Sequence, residues 1–599
     1  MKLLDWIEDR TGLTGPLRSW LAYPVSGGAA FRHTLGWLLL ALFLVQCLTG
    51  AVLTAYYSPS VTDAWASVAY IETQVAGGAW IRGIHHLGTS LMVILALLHA
   101  GAVVWRGAYK APREANWWVG LALLGLILAY PMTGYTLVWD QLAYWSAKVR
   151  SGITASLPIA GPLLEDIAIG GNDLGNFTLT RTYAMHVVAL PALTFLMIFA
   201  HLALFFRKGY TPAPGKETRT EAYGMRQGLL DLSVVAVVIG TLSAAAWRLG
   251  APLEAPADST VSFTARPEWY FLALNQLLKY FHGPAQILGT VVIPGLASSF
   301  LLALPFLDRG ATTRVRPRLP WLAGSALVLL GLAALTGLNV SQYHADPHRE
   351  DNEAFAAREA ERALALVAEG VPPQGGAYMM AHDPLVRGER VFRQRCRSCH
   401  ALEGFLPEEP KGPDLTAYGS KAWLRQLLRD PEGPRFFGRT EEIEGMPAFD
   451  DLSEEELGKL VELLYALRDA EDGIDVEEHE DAELITEAEC ADCHDFEDDY
   501  AVEGPAMLHY LSTEWTRAMV DDPGADHLYG EVNEMPAFET RISEEDRDAV
   551  VVFLESLADR APRDAWPFVD EPLSPREADD EEVAADDEAA DDEEADEAE

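Results

Sequence analysis

Two long apolar stretches each carry a pair of histidines, and this feature constrains the fold more than any other. His85 and His99 lie 14 residues apart in one stretch, and His186 and His201 lie 15 apart in the other. An α-helix turns about 100° and rises about 1.5 Å per residue, so each pair returns to within about 40–60° of one face over about 21–23 Å. Ionisable side chains inside a bilayer are costly and usually functional. The pattern predicts two facing helices that hold two stacked bis-histidine metal centres.

The neighbouring His86 does not fit this pattern. It lies 13 residues before His99, which places it about 220° around the helix from that residue. A single membrane histidine is equally well explained as a hydrogen-bonded packing residue. Four histidines at matched spacings favour the metal centres.

Two glycine pairs repeat the histidine period. Gly36 and Gly50 lie 14 residues apart in one apolar run, and Gly120 and Gly134 lie 14 apart in another. Glycine lowers helix propensity, so its repeated use indicates that a flat group approaches the backbone closely. The alternative is that these glycines allow helices to pack closely in the membrane.

Length and charge divide the chain into unlike parts. The 599 residues are enough for several domains. The formal net charge is −44, yet the first 350 residues hold 24 Lys and Arg against 19 Asp and Glu, so the acidic excess lies in the rest. Such a charge disfavours nucleic acid binding. The first part contains seven apolar runs of about the length that a bilayer requires. Their approximate limits are 34–56, 79–105, 117–139, 183–206, 228–249, 284–307 and 321–340.

The loop charges predict the orientation of these spans. The loops at 106–116, 207–227 and 308–320 are basic, and basic loops face the cytoplasm. The N-terminus, with an amphipathic interfacial helix within residues 1–30, is then inside. An odd number of spans places everything after residue 340 outside.

Two Cys-x-x-Cys-His motifs follow in the acidic part. Cys396 and Cys399 precede His400, and Cys490 and Cys493 precede His494. This motif attaches c-type haem through two thioether bonds, and the adjacent histidine is the proximal iron ligand. A zinc knuckle is the alternative, which an extracytoplasmic location disfavours. The fifth cysteine, Cys47, stands alone in an apolar run and is expected to pack.

A Met-Pro-Ala-Phe sequence follows each motif. It contains Met446 after the first and Met535 after the second, and each is followed by a Ser-Glu-Glu helix start. The recurrence predicts that Met446 and Met535 are the sixth iron ligands of their own repeats. We therefore expect two small all-helical cytochrome c-like domains, at 384–470 and 478–560.

The last stretch, 573–599, consists almost entirely of Ala, Asp and Glu. With so few apolar residues to bury, it is expected to be disordered. Solubility or a salty medium explains such a tail. The alternative is a docking surface that attracts a basic electron carrier.

The membrane part resembles cytochrome b of the quinol-oxidising cytochrome bc complexes. Its four-span and three-span parts, joined in one chain, correspond to 1–212 and 213–345, with a linker at 346–383. The 15-residue histidine spacing is similar to the chloroplast-type branch. The fold class is accordingly all-α, a seven-helix haem-binding bundle followed by two cytochrome c-like domains. The stretches that carry the resemblance are FLVQCLTGAVLTAYYSPSVTDAWASV, WIRGIHH, GYTLVWDQLAYWSAKV, LTRTYAMHVVALP and PEWYFLAL.

The resemblance implies roles for individual residues. It places the Pro-Glu-Trp-Tyr sequence at an outer quinol site, where Glu268 accepts a proton and Tyr270 shapes the pocket. Arg82 is implied to lie near the propionates of the outer haem. The branch tethers an extra high-spin haem through a cysteine, but Thr34 stands at that position here, which puts a third membrane haem in doubt.

It also assigns His85 and His186 to the outer b haem, and His99 and His201 to the inner one. Electrons from quinol are then expected to pass inward through the b haems and outward through the c haems to a periplasmic acceptor, with proton translocation. No cysteine–histidine set for an iron–sulfur cluster is present, so a Rieske-type protein is expected as a separate partner. The resemblance further implies a homodimeric complex among the lipids of a bacterial inner membrane, while the kind of quinone stays open.

Two other functions are compatible with the sequence. One is a non-bifurcating electron relay or membrane anchor between the quinone pool and a periplasmic redox partner. It would not need the Pro267–Tyr270 sequence, or Tyr144 and Trp145 in the preceding outer loop. The other is a structural scaffold whose haem sites are not used.

Overall fold

The computed structural model resolves two compact units, 1–379 and 380–599. The predicted acidic tail and the predicted boundary at 212 lie outside the described residues. Those described are 3–12, 14–26, 29–209, 211, 220–438, 446–470, 484, 490–496 and 503–560.

The first unit is helical apart from one short pair of strands. Strand β1 (Pro24–Ser26) pairs antiparallel with β2 (Thr220–Ala222). The helices are α1 (Leu3–Thr11), α2 (Thr14–Leu21), α3 (Thr34–Thr54), α4 (Ala64–Thr73), α5 (Gly78–Arg106), α6 (Glu114–Val138), α7 (Gln141–Ala155), α8 (Gly161–Ile169), α9 (Asn176–Ala184), α10 (Leu190–Lys208), α11 (Gly224–Leu249), α12 (Leu272–Leu278), α13 (Ile293–Leu307), α14 (Leu319–His344), α15 (Arg349–Val367) and α16 (Gly376–His382).

Seven helical segments of the described chain are long and apolar enough to cross a membrane, which confirms the predicted number of spans. Their surfaces expose large apolar side chains such as Phe199, Val237 and Leu327, as expected where lipid rather than water surrounds a helix. The segments are Phe31–Thr54, Gly78–Arg106, Glu114–Val138, Asn176–Lys208, Gly224–Leu249, Gly283–Leu307 and Arg316–His344.

The fourth span contains one π-helical turn, Met185–Ala189, between α9 and α10. The Leu190 N–H bonds to the Met185 carbonyl five residues back. Pro191 follows and has no N–H to donate, which favours such a turn. A π turn adds one residue to a helix. The 15 residues from His186 to His201 therefore cover the same helical phase as the 14 between the histidines of α5.

The three basic loops meet at one end of the bundle, here called the basic end. Arg113, after α5, donates to the Lys208 carbonyl at the end of α10 over 2.9 Å. Asp308, after α13, is buried between Lys110 Nζ at 2.6 Å and Arg318 Nε at 2.9 Å. Arg318 is fully buried. These contacts place the three predicted same-side loops together.

The remaining loops of this unit meet at the opposite end. Trp65 Nε1 donates to the Glu254 carbonyl, and Gln141 N donates to the Ala255 carbonyl, each over 2.9 Å. Gly376, beyond the seventh span, lies against Trp65 and Pro256. The chain therefore leaves the bundle at the end opposite the basic loops, as an odd number of spans requires.

The second unit contains two copies of one helical pattern. The predicted helix starts are confirmed, because Ser453 and Ser543 cap α19 and α21 through the main-chain N–H groups of Glu456 and Asp546. Described residues of both repeats pack into a single hydrophobic core. The helices are α17 (Pro384–Arg395), α18 (Lys421–Arg429), α19 (Glu454–Leu467), α20 (Thr513–Asp521) and α21 (Glu544–Asp559).

We predict that Asp308→Asn destabilises the membrane unit by about 3–5 kcal/mol, because it leaves two buried cations without a counter-charge. Asp173→Asn is the matched control. It removes an equally short pair with Lys148, but both side chains are about half exposed, so the expected cost is below about 1 kcal/mol. Thermal unfolding of the two purified variants in detergent tests this, and equal unfolding temperatures would contradict it.

Candidate functional site

The structure brings the four predicted membrane histidines together in two pairs. The ring centres of His85 and His186 are 6.2 Å apart, and those of His99 and His201 are 6.4 Å apart. Two metal–imidazole bonds of about 2 Å, plus roughly 1 Å from each nitrogen to its ring centre, require about 6 Å. The spacing of both pairs fits one iron held between two imidazoles.

The four glycines each face one of these rings. A Cβ at Gly50 would lie 3.2 Å from His85 Cε1, and one at Gly134 would lie 2.9 Å from His186 Cε1. At the other pair, the distances are 3.9 Å from Gly36 to His99 and 3.4 Å from Gly120 to His201. The predicted role in a close approach is thus supported. One glycine per helix borders each site, which suits the edge of a planar macrocycle.

Two threonines orient the pair nearer the opposite end. Thr49 Oγ1 lies 3.0 Å from His85 Nδ1, and Thr133 Oγ1 lies 2.9 Å from His186 Nδ1. Hydrogen bonding at Nδ1 leaves Nε2 for the iron and fixes the ring plane. The residue-by-residue prediction missed both threonines. Each directly precedes one of the facing glycines, so a repeated Thr-Gly pair in α3 and α6 was the available signal.

Arg82 is held by protein groups. Its Nε donates to Glu72 over 2.6 Å, and its terminal nitrogens donate to the carbonyls of Ala251 and Pro252. The side chain is buried. Arg82 therefore ties the start of α5 to the segment after α11, and its contact with a haem propionate stays a prediction.

The carboxylate of Glu268 is hydrogen-bonded to α6, the helix that carries Gly134. Tyr135 donates its hydroxyl to Glu268 Oε1, and Tyr135 directly follows Gly134, which faces His186. The rings of Tyr135 and His86 are 6.2 Å apart. His86 thus lies near Tyr135 and outside the His85–His186 pair, as its helical phase predicted.

The Pro-Glu-Trp-Tyr segment forms an aromatic wall next to this carboxylate. Trp269 and Tyr270 meet edge to face at 5.3 Å, and Trp269 Nε1 lies 3.3 Å from Ser90 Oγ. Burial raises the pKa of Glu268 above its usual range, because desolvation penalises the charged form. Such a group is suited to accept a proton near working pH.

The described contacts of Tyr144 and Trp145 do not include Glu268, Trp269 or Tyr270. Both are on α7, where Tyr144 packs on Trp139 with ring centres 5.9 Å apart, and Trp145 Nε1 donates to Gln141 over 3.1 Å. Their described contacts place them in the packing of α7.

The histidines of the two Cys-x-x-Cys-His motifs are oriented in the same way. His400 Nδ1 lies 2.9 Å from the Pro413 carbonyl, and His494 Nδ1 lies 2.7 Å from the Pro505 carbonyl. A carbonyl only accepts, so Nδ1 carries the proton and Nε2 is free to bind iron. Both prolines follow glycines, which face the rings. The recurring Gly-Pro pair was a signal that the sequence prediction overlooked.

The residues around the first motif come from both repeats, and the predicted pairing of axial ligands within each repeat stays a prediction. His400 and Cys396 border a cavity that Met535 of the second repeat also lines, and Met446 does not. Met446 and Cys490 both pack against the shared core. Met535 is held in place by Asn533, whose side chain bonds to both its N–H and its carbonyl.

The structure gives the contacts of Thr34 and Cys47 in the first membrane span, while the expectation of no third haem at Thr34 stays a prediction. Thr34 is buried at the start of α3 and donates to the Phe31 carbonyl over 2.7 Å. Cys47 is half-buried and packs against the apolar cluster around Leu42, which confirms it as a packing residue.

Paired imidazoles in the spans and haem-attachment motifs beyond them define a membrane cytochrome with b-type and c-type haem sites. The family model "Cytochrome b/b6/petB" matches 21–209, and "Cytochrome b(C-terminal)/b6/petD" matches 256–348. "Cytochrome C oxidase, cbb3-type, subunit III" matches 383–464 and 477–554.

The chain is 36% identical to the cytochrome b6 of Synechococcus sp. (strain JA-3-3Ab) over 208 residues, 35% of this chain and 97% of that protein. It is equally identical to the cytochrome b6 of Mastigocladus laminosus over 205 residues, 34% of this chain and 95% of that protein. A solved hyperthermophilic respiratory Complex III chain shares 25% identity, with a TM-score of 0.49 and coverage of 63% of this chain and 100% of that chain. The chain belongs to the cytochrome b/b6 family and carries two cytochrome c-type repeats after it.

We predict that Gly134→Val lowers the haem content at the His85–His186 pair, because a side chain there collides with the His186 ring. Gly125→Val on the same helix is the control, since a Cβ at Gly125 meets nothing within 4 Å. Redox titration of the b-type haems, with haem per chain from a pyridine haemochromogen assay, measures the effect. Normal occupancy in Gly134→Val would refute the close-approach role.

Proposed function

We propose that the chain is the cytochrome b subunit of a quinol-oxidising complex, fused to its own dihaem cytochrome c. The observation that carries the proposal is the hydrogen bond between Tyr135 and Glu268. It joins a partly buried carboxylate to the residue next to Gly134, which faces the outer histidine ring. A proton acceptor and an electron acceptor site thus adjoin, which quinol oxidation requires.

In this proposal, the hydroquinone hydroxyl approaches Glu268 from the side that Trp269 and Tyr270 border. Glu268 accepts its proton, and Tyr135 orients the carboxylate through the shared hydrogen bond. When bound, the two b haems supply an electron path between the two ends of the bundle.

We propose that a separate Rieske-type iron–sulfur protein takes one electron of each quinol, and that a periplasmic acceptor takes electrons from the c haems. The match to the cytochrome b/b6 family supports this choice of partners. The basic end then faces the cytoplasm of a bacterial inner membrane, and the complex is a homodimer.

The test is oxidant-induced reduction of the b haems in the purified complex, with quinol and an inhibitor of the inner quinone site. Reduction of the b haems when oxidant is added supports bifurcation. Its absence in the intact complex supports the alternative, a non-bifurcating relay or anchor. Absence of both b and c haem would instead support a scaffold.

We predict that Glu268→Gln slows quinol oxidation by about 10²-fold or more, the usual contribution of a general base. Glu254→Gln is the matched control. Glu254 lies on the same segment, and burial together with nearby Asp140 raises its pKa to about 7, yet its described contacts do not include Tyr135. Steady-state rates at saturating quinol should fall only in the first variant. Equal losses in both would overturn the assignment.

The proposal also predicts a pH dependence. Only the deprotonated Glu268 carboxylate can accept a proton, and its raised pKa keeps it protonated at acidic pH. The rate of the native protein should therefore rise with pH, over a range above the usual carboxyl pKa of about 4.3. In Glu268→Gln this rise should disappear. A pH profile that keeps the same rise in the variant would assign it to another group.

A further inference from the structure

The first helix of the cytochrome c unit packs against the last one. A side chain at Gly388 of α17 would collide with the main chain at Ala549 of α21. One turn further along, the rings of Phe392 and Phe553 lie 5.5 Å apart. The two helices thus cross at a glycine with aromatic packing beside it, although they belong to different repeats.

Ion pairs at the edge of this crossing also hold α17 and α21 together. Arg387 Nε lies 2.6 Å from Asp546 Oδ1, and Arg387 Nη1 lies 2.7 Å from Glu545 Oε2. Arg387 and Asp546 are each only about a quarter exposed. Partial burial limits screening by water, so this pair selects α21 as the partner of α17.

The cavity at the first attachment motif has walls from both repeats. Cys396 and His400 contribute one side, and Met535, Val550 and Leu554 contribute the other. The second repeat therefore supplies the only methionine among the cavity-lining residues, together with the apolar surface that a haem face requires.

Each methionine segment remains anchored to its own repeat. Phe449 N donates to the Leu428 carbonyl at the end of α18, and Phe538 N donates to the Val520 carbonyl at the end of α20, both over 3.1 Å. Each methionine segment thus forms one unit with the helix before it and the helix after it. We call this unit a half-domain. The part of the first repeat that carries its attachment motif therefore packs against the methionine half-domain of the second repeat.

The other half-domain makes a reciprocal contact. His509, downstream of the second motif, donates its N–H to the Leu467 carbonyl at the end of α19 over 3.1 Å. Met446, just before α19, packs against the same core as Cys490. The methionine half-domain of the first repeat therefore contacts the part of the second repeat that carries the attachment motif.

We propose that the axial ligands are exchanged between the repeats. Met535 binds the iron of the haem attached at Cys396 and Cys399, and Met446 binds that of the haem attached at Cys490 and Cys493. This inference rests on the c-type haems of the proposed function. In each site the methionine thioether would supply a sulfur ligand to the haem iron, which raises the reduction potential.

The test uses the full-length complex with Cys490→Ala and Cys493→Ala, so that one covalent haem remains. Mass spectrometry first confirms one haem per chain, and no covalent haem would refute the proposed function instead. Met535→Ala should then abolish the near-infrared charge-transfer band of sulfur-ligated ferric haem and lower the midpoint potential. Met446→Ala should keep both. The reverse result, or the same response in both variants, overturns the exchange.

A second measurement avoids removing a haem. In the chain with both haems, Arg387→Ala and Asp546→Ala are combined in a double-mutant cycle of thermal unfolding. The exchange predicts coupling, so that the double variant is less destabilised than the two single variants together. Arg517→Ala with Asp546→Ala is the control, because Arg517 pairs with Asp521 and Asp548 instead. Absence of coupling between Arg387 and Asp546 would place the helices in separate domains and overturn the proposal.

Discussion

The membrane unit depends on four imidazoles that must find partners where no water is available. A buried polar group without a partner costs several kcal/mol in an apolar medium. Threonines at Nδ1 of one pair supply part of that requirement, and an iron held between facing rings would supply a further part. The facing glycines give up helix propensity and leave room beside the rings. Four spans therefore contribute residues to these two sites.

The two ends of the bundle use charge differently. At the basic end, Asp308 is saturated by two cations and a tyrosine, which locks loops from both halves of the cytochrome b fold together. At the opposite end, Glu268 is buried with a neutral tyrosine as its described partner. One carboxylate is thus a permanent anion that holds structure. The other is free to gain and lose a proton.

Periodicity and motif spacing predicted the spans, the histidine pairs and the glycines, because helical geometry ties residue spacing directly to position. The same arithmetic left His186 and His201, which are 15 residues apart, about 60° from a common helix face. The π turn before Pro191 removes that offset, and it depends on local main-chain hydrogen bonding rather than on hydrophobic period. The threonines were missed because hydrogen bonds to a ring nitrogen leave no periodic signature. The packing of α17 on α21 rather than on α19 was not predictable from the sequence, since α19 and α21 carry the same amphipathic pattern.

The packing of α17 on α21 also sets an order of events. Arg387 and its partner Asp546 are 159 residues apart, and contacts of such separation form late because the intervening chain must first be ordered. When a chain emerges N-terminus first, both attachment motifs become available before α21 arrives. Until α21 packs, the cavity beside Cys396 and His400 lacks the wall that Val550 and Leu554 form. The last helix of the unit therefore completes a site whose first residues lie near the beginning of the unit.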